Sequence, residues 1–328
     1  MSKKLVFLGM GGTIAVTATS AGDNVGYTAA QVGVQALLDS VPGLKAVVGG
    51  HAAVSEQVCQ IDSKDLVPAD WQALLQRVTH YLGMDDVAGL VVTHGTDTLE
   101  ETAYFLSRTV PAALISRKAV VLTCAMRPAS SLTPDGPGNM ADAAAVALCP
   151  GALGVMVVCA GKIHSAVHVQ KVHPYRTDAF DSGEAGPVGL VEEGRVRLLC
   201  PWPAANANGA AVTSAALHAS AWPRVELLIS HACVTGAVVA ALLQHDSGDA
   251  PLRGIVVAGT GNGTIHQAME SALLAAQVQG IRVVRVSRCA YGQVVGGSPT
   301  DRSGAFAASG LSAVKARIAL MLEIAAQP

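Results

Sequence analysis

The chain has 328 residues, 51% of them hydrophobic and 14% charged, with 22 Lys+Arg against 24 Asp+Glu. That composition excludes a disordered chain, which needs low hydrophobicity and high net charge. The near-neutral balance and 4% aromatic content argue against nucleic-acid binding and base stacking.

The length suits two domains of about 100–200 residues each. The apolar runs Leu5–Leu8, Leu90–Val92, Val120–Leu122, Val155–Val158 and Ile255–Ala258 are far shorter than the ~18 residues of a spanning helix. They read instead as strands buried on both faces of a parallel sheet. Met1-Ser2-Lys3-Lys4 leads straight into the first of them without a leader-like apolar stretch, so a cytoplasmic protein with no membrane partner is expected. The seven cysteines are scattered and show no CxxC spacing, as expected of reduced, packed thiols.

In chain order, strand signals at Lys4–Leu8, Gly89–Thr93, Ala119–Thr123 and Gly154–Ala160 alternate with helical stretches at Ala29–Ser40, Leu99–Thr109 and Asn139–Ala147. Pro201-Trp202-Pro203 and Asn206-Ala207-Asn208-Gly209 interrupt the pattern. Alternation resumes with strands at Val225–Ser230, Gly254–Ala258 and Arg282–Ser287 and helices at Gly236–Leu243, Thr264–Ala276 and Ser312–Ala325. The expectation is an α/β protein with two domains of parallel-rich sheets flanked by helices. The larger, N-terminal catalytic domain covers 1–199, a linker 200–223, and the smaller C-terminal domain 224–328.

Open α/β sheets bind ligands beyond the carboxyl ends of their strands. Three such ends are polar or glycine-rich: Gly9–Ala15, Thr93–Thr98 and Cys124–Pro128. Gly9-x-Gly11-Gly12-Thr13 lacks the third glycine of a dinucleotide loop, and no acid-tipped second strand follows about 20 residues on. The glycines would instead let the backbone approach a small ligand and expose Thr13, as a nucleophile or as a helix cap. Asp97 and Thr98 would cap the helix beginning near Leu99. Glu100 and Glu101 read as a solvated face, since adjacent helical residues do not face each other.

Taken together, Gly11-Gly12-Thr13-Ile14-Ala15, Thr93–Leu106, Ala125-Met126-Arg127-Pro128 with Asp135-Gly136-Pro137, Thr177-Asp178-Ala179-Phe180 and Gly261-Asn262-Gly263 resemble the signature segments of bacterial-type L-asparaginases. The resemblance implies hydrolysis of L-asparagine to aspartate and ammonia by double displacement, without metal or organic cofactor. It implies Thr13 as the acylated nucleophile, Tyr27 assisting from a lid over Val16–Gly26, and Thr96, Asp97 and Lys171 as a second catalytic group. Asp62, Ser63, Gly95, Thr96, Asp97 and Ala125 would bind substrate: Ser63 the α-carboxylate, Asp97 the ammonium, the Ala125 carbonyl the amide nitrogen, and the backbone near Thr96 the oxyanion. A homotetramer built as a dimer of dimers is implied too.

The sequence departs from the periplasmic branch of that family. Lys64 follows the carboxylate-binding serine, Asp62 precedes it, Val294–Thr300 holds no acid, and Thr264 stands where an asparagine is expected. Weak glutaminase activity is therefore expected. The alternatives are a relative acting on D-asparagine or another ω-amide, a non-catalytic amino-acid sensor, and a nucleotide-dependent oxidoreductase using Gly9–Gly12. Among other candidates, His164, His168 and His173 read as an exposed hairpin without metal, His94 as a satisfied residue at a strand end, and Trp71 as core.

Overall fold

The computed structural model describes residues 2–12, 33–203, 210–244, 251–296 and 305–327. The chain divides into two compact units, Met1–Gly209 and Ala210–Pro328. The first unit runs β1 (Lys4–Gly11), α1 (Val34–Ser40), α2 (Leu44–Val48), β2 (Ala52–Ile61), α3 (Pro68–Leu82), β3 (Val87–Thr93), α4 (Leu99–Thr109), α5 (Ala112–Ile115), β4 (Ala119–Thr123), α6 (Gly136–Leu148), β5 (Gly154–Cys159), β6 (Lys162–Ser165), β7 (Gln170–Lys171), β8 (Phe180–Asp181), β9 (Gly189–Glu192) and β10 (Arg195–Leu198).

Eight of these strands form one sheet in the order β10-β9-β6-β5-β4-β3-β1-β2. From β2 to β5 all pairings are parallel; β6, β9 and β10 add an antiparallel extension. Leu5 and Phe7 pack with Val91, Val121, Met140 and Ala143 on one face. The alternate residues Val6 and Leu8 are equally inaccessible, so β1 is covered on both faces, as its unbroken apolar sequence requires. Trp71 of α3 stacks on Phe105 of α4, centroids 5.0 Å apart, so Trp71 belongs to the core. Each such buried side chain contributes about 1.5–3 kcal/mol.

The chain enters β1, crosses to β2 on one side, and returns to β3 on the other. β1 therefore lies at the topological switch point, where strand ends leave a crevice.

The second unit runs α7 (Ala210–His218), β11 (Arg224–Ile229), α8 (Ala237–Gln244), β12 (Leu252–Gly259), α9 (Gln267–Val278), β13 (Arg282–Ser287), β14 (Ala307–Ala308) and α10 (Ala313–Ala325). Its four strands are all parallel, in sequence order. Helix α10 packs closely on β12: a Cβ on Gly254 would lie 2.8 Å from Leu320. Helix α7 falls inside the interval read as linker; it packs on α10 and buries Ala216.

Two local expectations need correction. The helix expected over Ala29–Ser40 begins at Val34, with extended Gly33 as its N-cap, and residues 29–32 lie outside the described set. His164 is not on an exposed hairpin. It sits on β6, antiparallel to β5, with 1% exposure, and its Nδ1 lies 2.8 Å from Ser182 Oγ. His168 is exposed, and His173 Nδ1 accepts the backbone N–H groups of Tyr175 and Arg176. Among the described residues, no helix is long and apolar enough to cross a membrane.

Candidate active site

Four loops emerge side by side at the carboxyl ends of β1, β2, β3 and β4. The loops after β1 and β3 meet backbone to backbone, and the Ser63 side chain of the loop after β2 packs against them. Gly12 has φ +85°, a left-handed conformation that strains any residue with a Cβ, and a Cβ there would lie 2.3 Å from the backbone of Gly95. A Cβ on Gly95 would in turn lie 2.5 Å from Ser63 Oγ. Hydrogen bonds lock the same contact: Gly12 N–H donates to Ile61 O at 3.1 Å, and Thr98 Oγ1 donates to Ser63 O at 2.8 Å. Thr98 occupies the N-cap of α4, yet its side chain caps nothing there; the expected cap is replaced by this loop-to-loop bond.

Ser63 opens a 3-10 turn, Ser63–Asp65, whose N-cap Asp62 accepts the Lys64 N–H. Ser63 is 3% exposed and faces Gly95, whereas Lys64 Nζ lies outside, 2.7 Å from Asp65 and 2.9 Å from Asp62. Those two carboxylates raise the Lys64 pKa.

Lys171 lies on the short β7–β8 hairpin, its backbone tied to the first turn of α4 and its side chain to the loop after β3. Its backbone N–H donates to Glu100 Oε1 at 3.2 Å; its Nζ lies 2.8 Å from Thr96 Oγ1 and 2.6 Å from Asp97 Oδ1. Glu100 is thus a member of the site rather than part of a solvated face. Sequence reading missed it because its partner is 71 residues away. Exposure rises across the cluster: Thr96 is buried, the Lys171 side chain 17% exposed and the Asp97 side chain 55% exposed. A hydroxyl paired with an amine can pass a proton, and a carboxylate open to solvent can receive a cation.

Beneath this cluster runs a buried chain of hydrogen bonds. His94 Nδ1 lies 2.8 Å from Gly95 O, an acceptor only, so that nitrogen carries the proton. His94 Nε2 therefore accepts from Thr102 Oγ1 at 2.9 Å, and Thr102 accepts from Trp71 Nε1–H at 2.9 Å. Burial pushes the His94 pKa down to about 4, against the opposing pull of the Gly95 carbonyl. His94 is the satisfied strand-end residue that its position suggested.

The loop after β4 is held differently. Asp135 accepts the backbone N–H groups of Met126 and Arg127, both at 2.9 Å, and Asn139 donates to Cys124 O at 2.9 Å. These bonds fix Ala125, which is 1% exposed. Asp135 and Asn139 were not read as site residues; Asp135 lies within a quoted motif and could have been found there.

Among the sequence candidates, Asp62, Ser63, Gly95, Thr96, Asp97, Ala125 and Lys171 thus lie on the strand-end loops or on the hairpin joined to them. Thr13, Tyr27 and the stretch Val16–Gly26 lie outside the described residues. In the second unit, Thr264 turns its hydroxyl onto Thr260, 2.8 Å away, within its own turn. Among the described residues, no group of three or more His, Cys, Asp or Glu could hold a metal ion.

Residues 4–203 match the family model described as Asparaginase, N-terminal, and residues 224–327 that of the Glutaminase/Asparaginase C-terminal domain. The chain is 35% identical to L-asparaginase 2 of Bacillus subtilis, over 97% of this chain and 81% of that one. It is 34% identical to glutaminase-asparaginase of Pseudomonas fluorescens, over 98% and 86%. Among solved structures, the probable cytoplasmic L-asparaginase of Campylobacter jejuni superposes with a TM-score of 0.88 at 33% identity, covering 98% of this chain and 95% of that one.

Proposed function

Since this chain belongs to the asparaginase family of amide hydrolases, we propose that it converts L-asparagine to L-aspartate and ammonia through an ester on Thr13. The observation that carries the reading is the Thr96–Lys171–Asp97 cluster, held against Ser63 and Gly12 by contacts too close for any intervening side chain.

In this reading Ser63, presented by the turn that Asp62 caps, takes the substrate α-carboxylate, and Asp97 takes the α-ammonium. Clamping a small substrate at both charges leaves its side-chain amide fixed for attack. The Ala125 carbonyl accepts from the amide nitrogen, and backbone N–H groups at Gly95 and Thr96 face the oxygen on which negative charge develops. Each such donor contributes about 2.7–4 kcal/mol to lowering the barrier.

Thr13 Oγ attacks the amide carbon with help from Tyr27, its proton passing to the departing nitrogen, and ammonia leaves. Water then attacks the ester; Thr96 with Lys171 carries its proton, and aspartate is released. No metal or organic cofactor enters these steps. Asp97 carries the ammonium contact without an acid from Val294–Thr300, so glutamine turnover is weak. We propose further that the enzyme acts in the cytoplasm as a homotetramer, a dimer of dimers.

The test is ammonia release from L-asparagine, D-asparagine and L-glutamine in buffer without cofactors, for the native chain and for Thr13→Ala. Turnover of L-asparagine that Thr13→Ala abolishes, with a trapped acyl group on Thr13, supports the proposal. Binding without turnover, dependence on a nicotinamide cofactor, or an acyl group on another residue overturns it. Comparable kcat/KM for glutamine and asparagine overturns the specificity assignment.

A further inference from the structure

Cys124 directly follows β4, and Cys159 is the last residue of β5. These strands are parallel neighbours with Thr123 opposite Val158, so the two cysteines are the next opposed pair. Adjacent strands lie about 4.7–4.9 Å apart, inside the Cα separation of about 4.4–6.8 Å that a disulfide accepts. The two sulfurs are 3.1 Å apart, with exposures of 1% and 3%.

The pair is bound into the site's framework. Thr123 Oγ1 donates to Val158 O at 2.8 Å, bracing β4 against β5 one residue earlier. Asn139 straddles the pair: it donates to Cys124 O and accepts the Ala160 N–H, both at 2.9 Å. Cys124 adjoins Ala125 and lies within electrostatic reach of Lys171 and Asp135.

We propose that Cys124 and Cys159 form an oxidisable dithiol, a modification site at which a small peroxide installs a disulfide that depresses turnover at the adjoining site. The depression of turnover rests on the asparaginase reading above; the formation of the bridge does not.

The chemistry balances with hydrogen peroxide as the oxidant. One sulfur attacks peroxide oxygen; the O–O bond breaks, water leaves, and a sulfenic acid remains. The second sulfur attacks the sulfenic sulfur; the S–O bond breaks, the S–S bond forms, and a second water leaves. The two sulfurs together surrender two electrons to the peroxide.

Burial keeps both thiols from bulky reagents and raises the Cys124 pKa, so the first step is slow. The second is fast because its partner is already in place. Forming the bridge requires the side-chain torsions of both cysteines to turn to disulfide geometry, and that turn is made at the residue preceding Ala125. A shift passed on to Ala125 is read at the reacting centre, where a misplacement of about 1 Å lowers turnover by up to about 100-fold.

The experiment treats the full-length chain with hydrogen peroxide, stops it with catalase, alkylates free thiols in denaturant and maps the unreduced peptides by mass spectrometry. A cross-linked Cys124–Cys159 peptide about 2 Da lighter than its two reduced halves together is expected. Asparaginase activity should fall at least tenfold with it and return on dithiothreitol. Cys159→Ala and Cys159→Ser should keep basal activity and lose the reversible component.

Both cysteines recovered alkylated after peroxide exposure overturns the site. A bridge that forms while activity is unchanged overturns its effect on turnover. A chain with no asparaginase activity before oxidation fails the functional reading, and the peptide map still decides the dithiol.

Discussion

Acid should loosen this fold through the buried imidazole of His94. His94 is fully buried, donates from Nδ1 to Gly95 O and accepts at Nε2 from Thr102. Its pKa falls from 6.5 to about 4 because burial penalises the charged ring. The folded value lies below the unfolded one, so the unfolded chain binds the extra proton first. The stability owed to neutral His94 is complete above pH 6.5 and is lost as pH falls from there toward 4. At 1.36 kcal/mol for each pH unit crossed, the loss is about 3 kcal/mol. Urea unfolding of the native chain and of His94→Asn, followed by circular dichroism between pH 7 and pH 4, measures it. The variant is less stable at pH 7 because the Trp71–Thr102 chain loses its end. The gap between the two proteins should narrow by about 3 kcal/mol at pH 4, other groups titrating alike in both. A gap that stays constant across that range refutes the tautomer and burial argument together.

Lys171→Met should lower kcat by about 10²–10⁴-fold with a smaller change in KM, since the amine serves proton transfer at Thr96; steady-state kinetics separates the two. Gly12→Ala should cost at least about 1–2 kcal/mol from φ +85° alone, and activity more severely, because its methyl would lie 2.3 Å from the Gly95 backbone; thermal melts and ammonia release report each effect. Asp142 is held protonated up to about 6 by burial, so Asp142→Asn should stabilise the chain at pH 7 by about 1 kcal/mol, allowing for partial exposure, and the gain should vanish as pH falls toward 3.8. Cys59, pushed up to about 12 chiefly by burial, should resist alkylation at pH 8 while exposed Cys200, Cys233 and Cys289 react; peptide mapping reads the order.

The interior strands were legible because strands covered on both faces must be apolar throughout. Ala119–Thr123 and Arg282–Ser287 appear with the residues their sequence suggests, and so does helix Leu99–Thr109. β2 carries Ser55, Glu56, Gln57 and Gln60 and is half-buried at the sheet's edge, so it gave no strand signal of that kind. The antiparallel extension β6, β9 and β10 escaped because its strands are four residues long. The helix at Ala210–His218 escaped because an alanine-rich segment after Pro201 and Asn208 shows little amphipathic contrast.

Within the site, motif residues such as Ser63, Thr96, Asp97 and Lys171 were legible through resemblance. Glu100 and Asn139 were not, since each acts through backbone groups distant in sequence, whereas Asp135 stood in a quoted motif whose role went unread.

The bare contact of Gly12, Gly95 and Ser63 has a consequence for anyone reshaping this enzyme. A library diversifying Gly12 or Gly95 spends most of its members on misassembled loops before substrate preference is ever sampled. Mutagenesis for altered selectivity belongs instead at solvent-facing Lys64 and its neighbour Asp65, where a change of charge leaves the joint between strands and the Asp62 cap untouched.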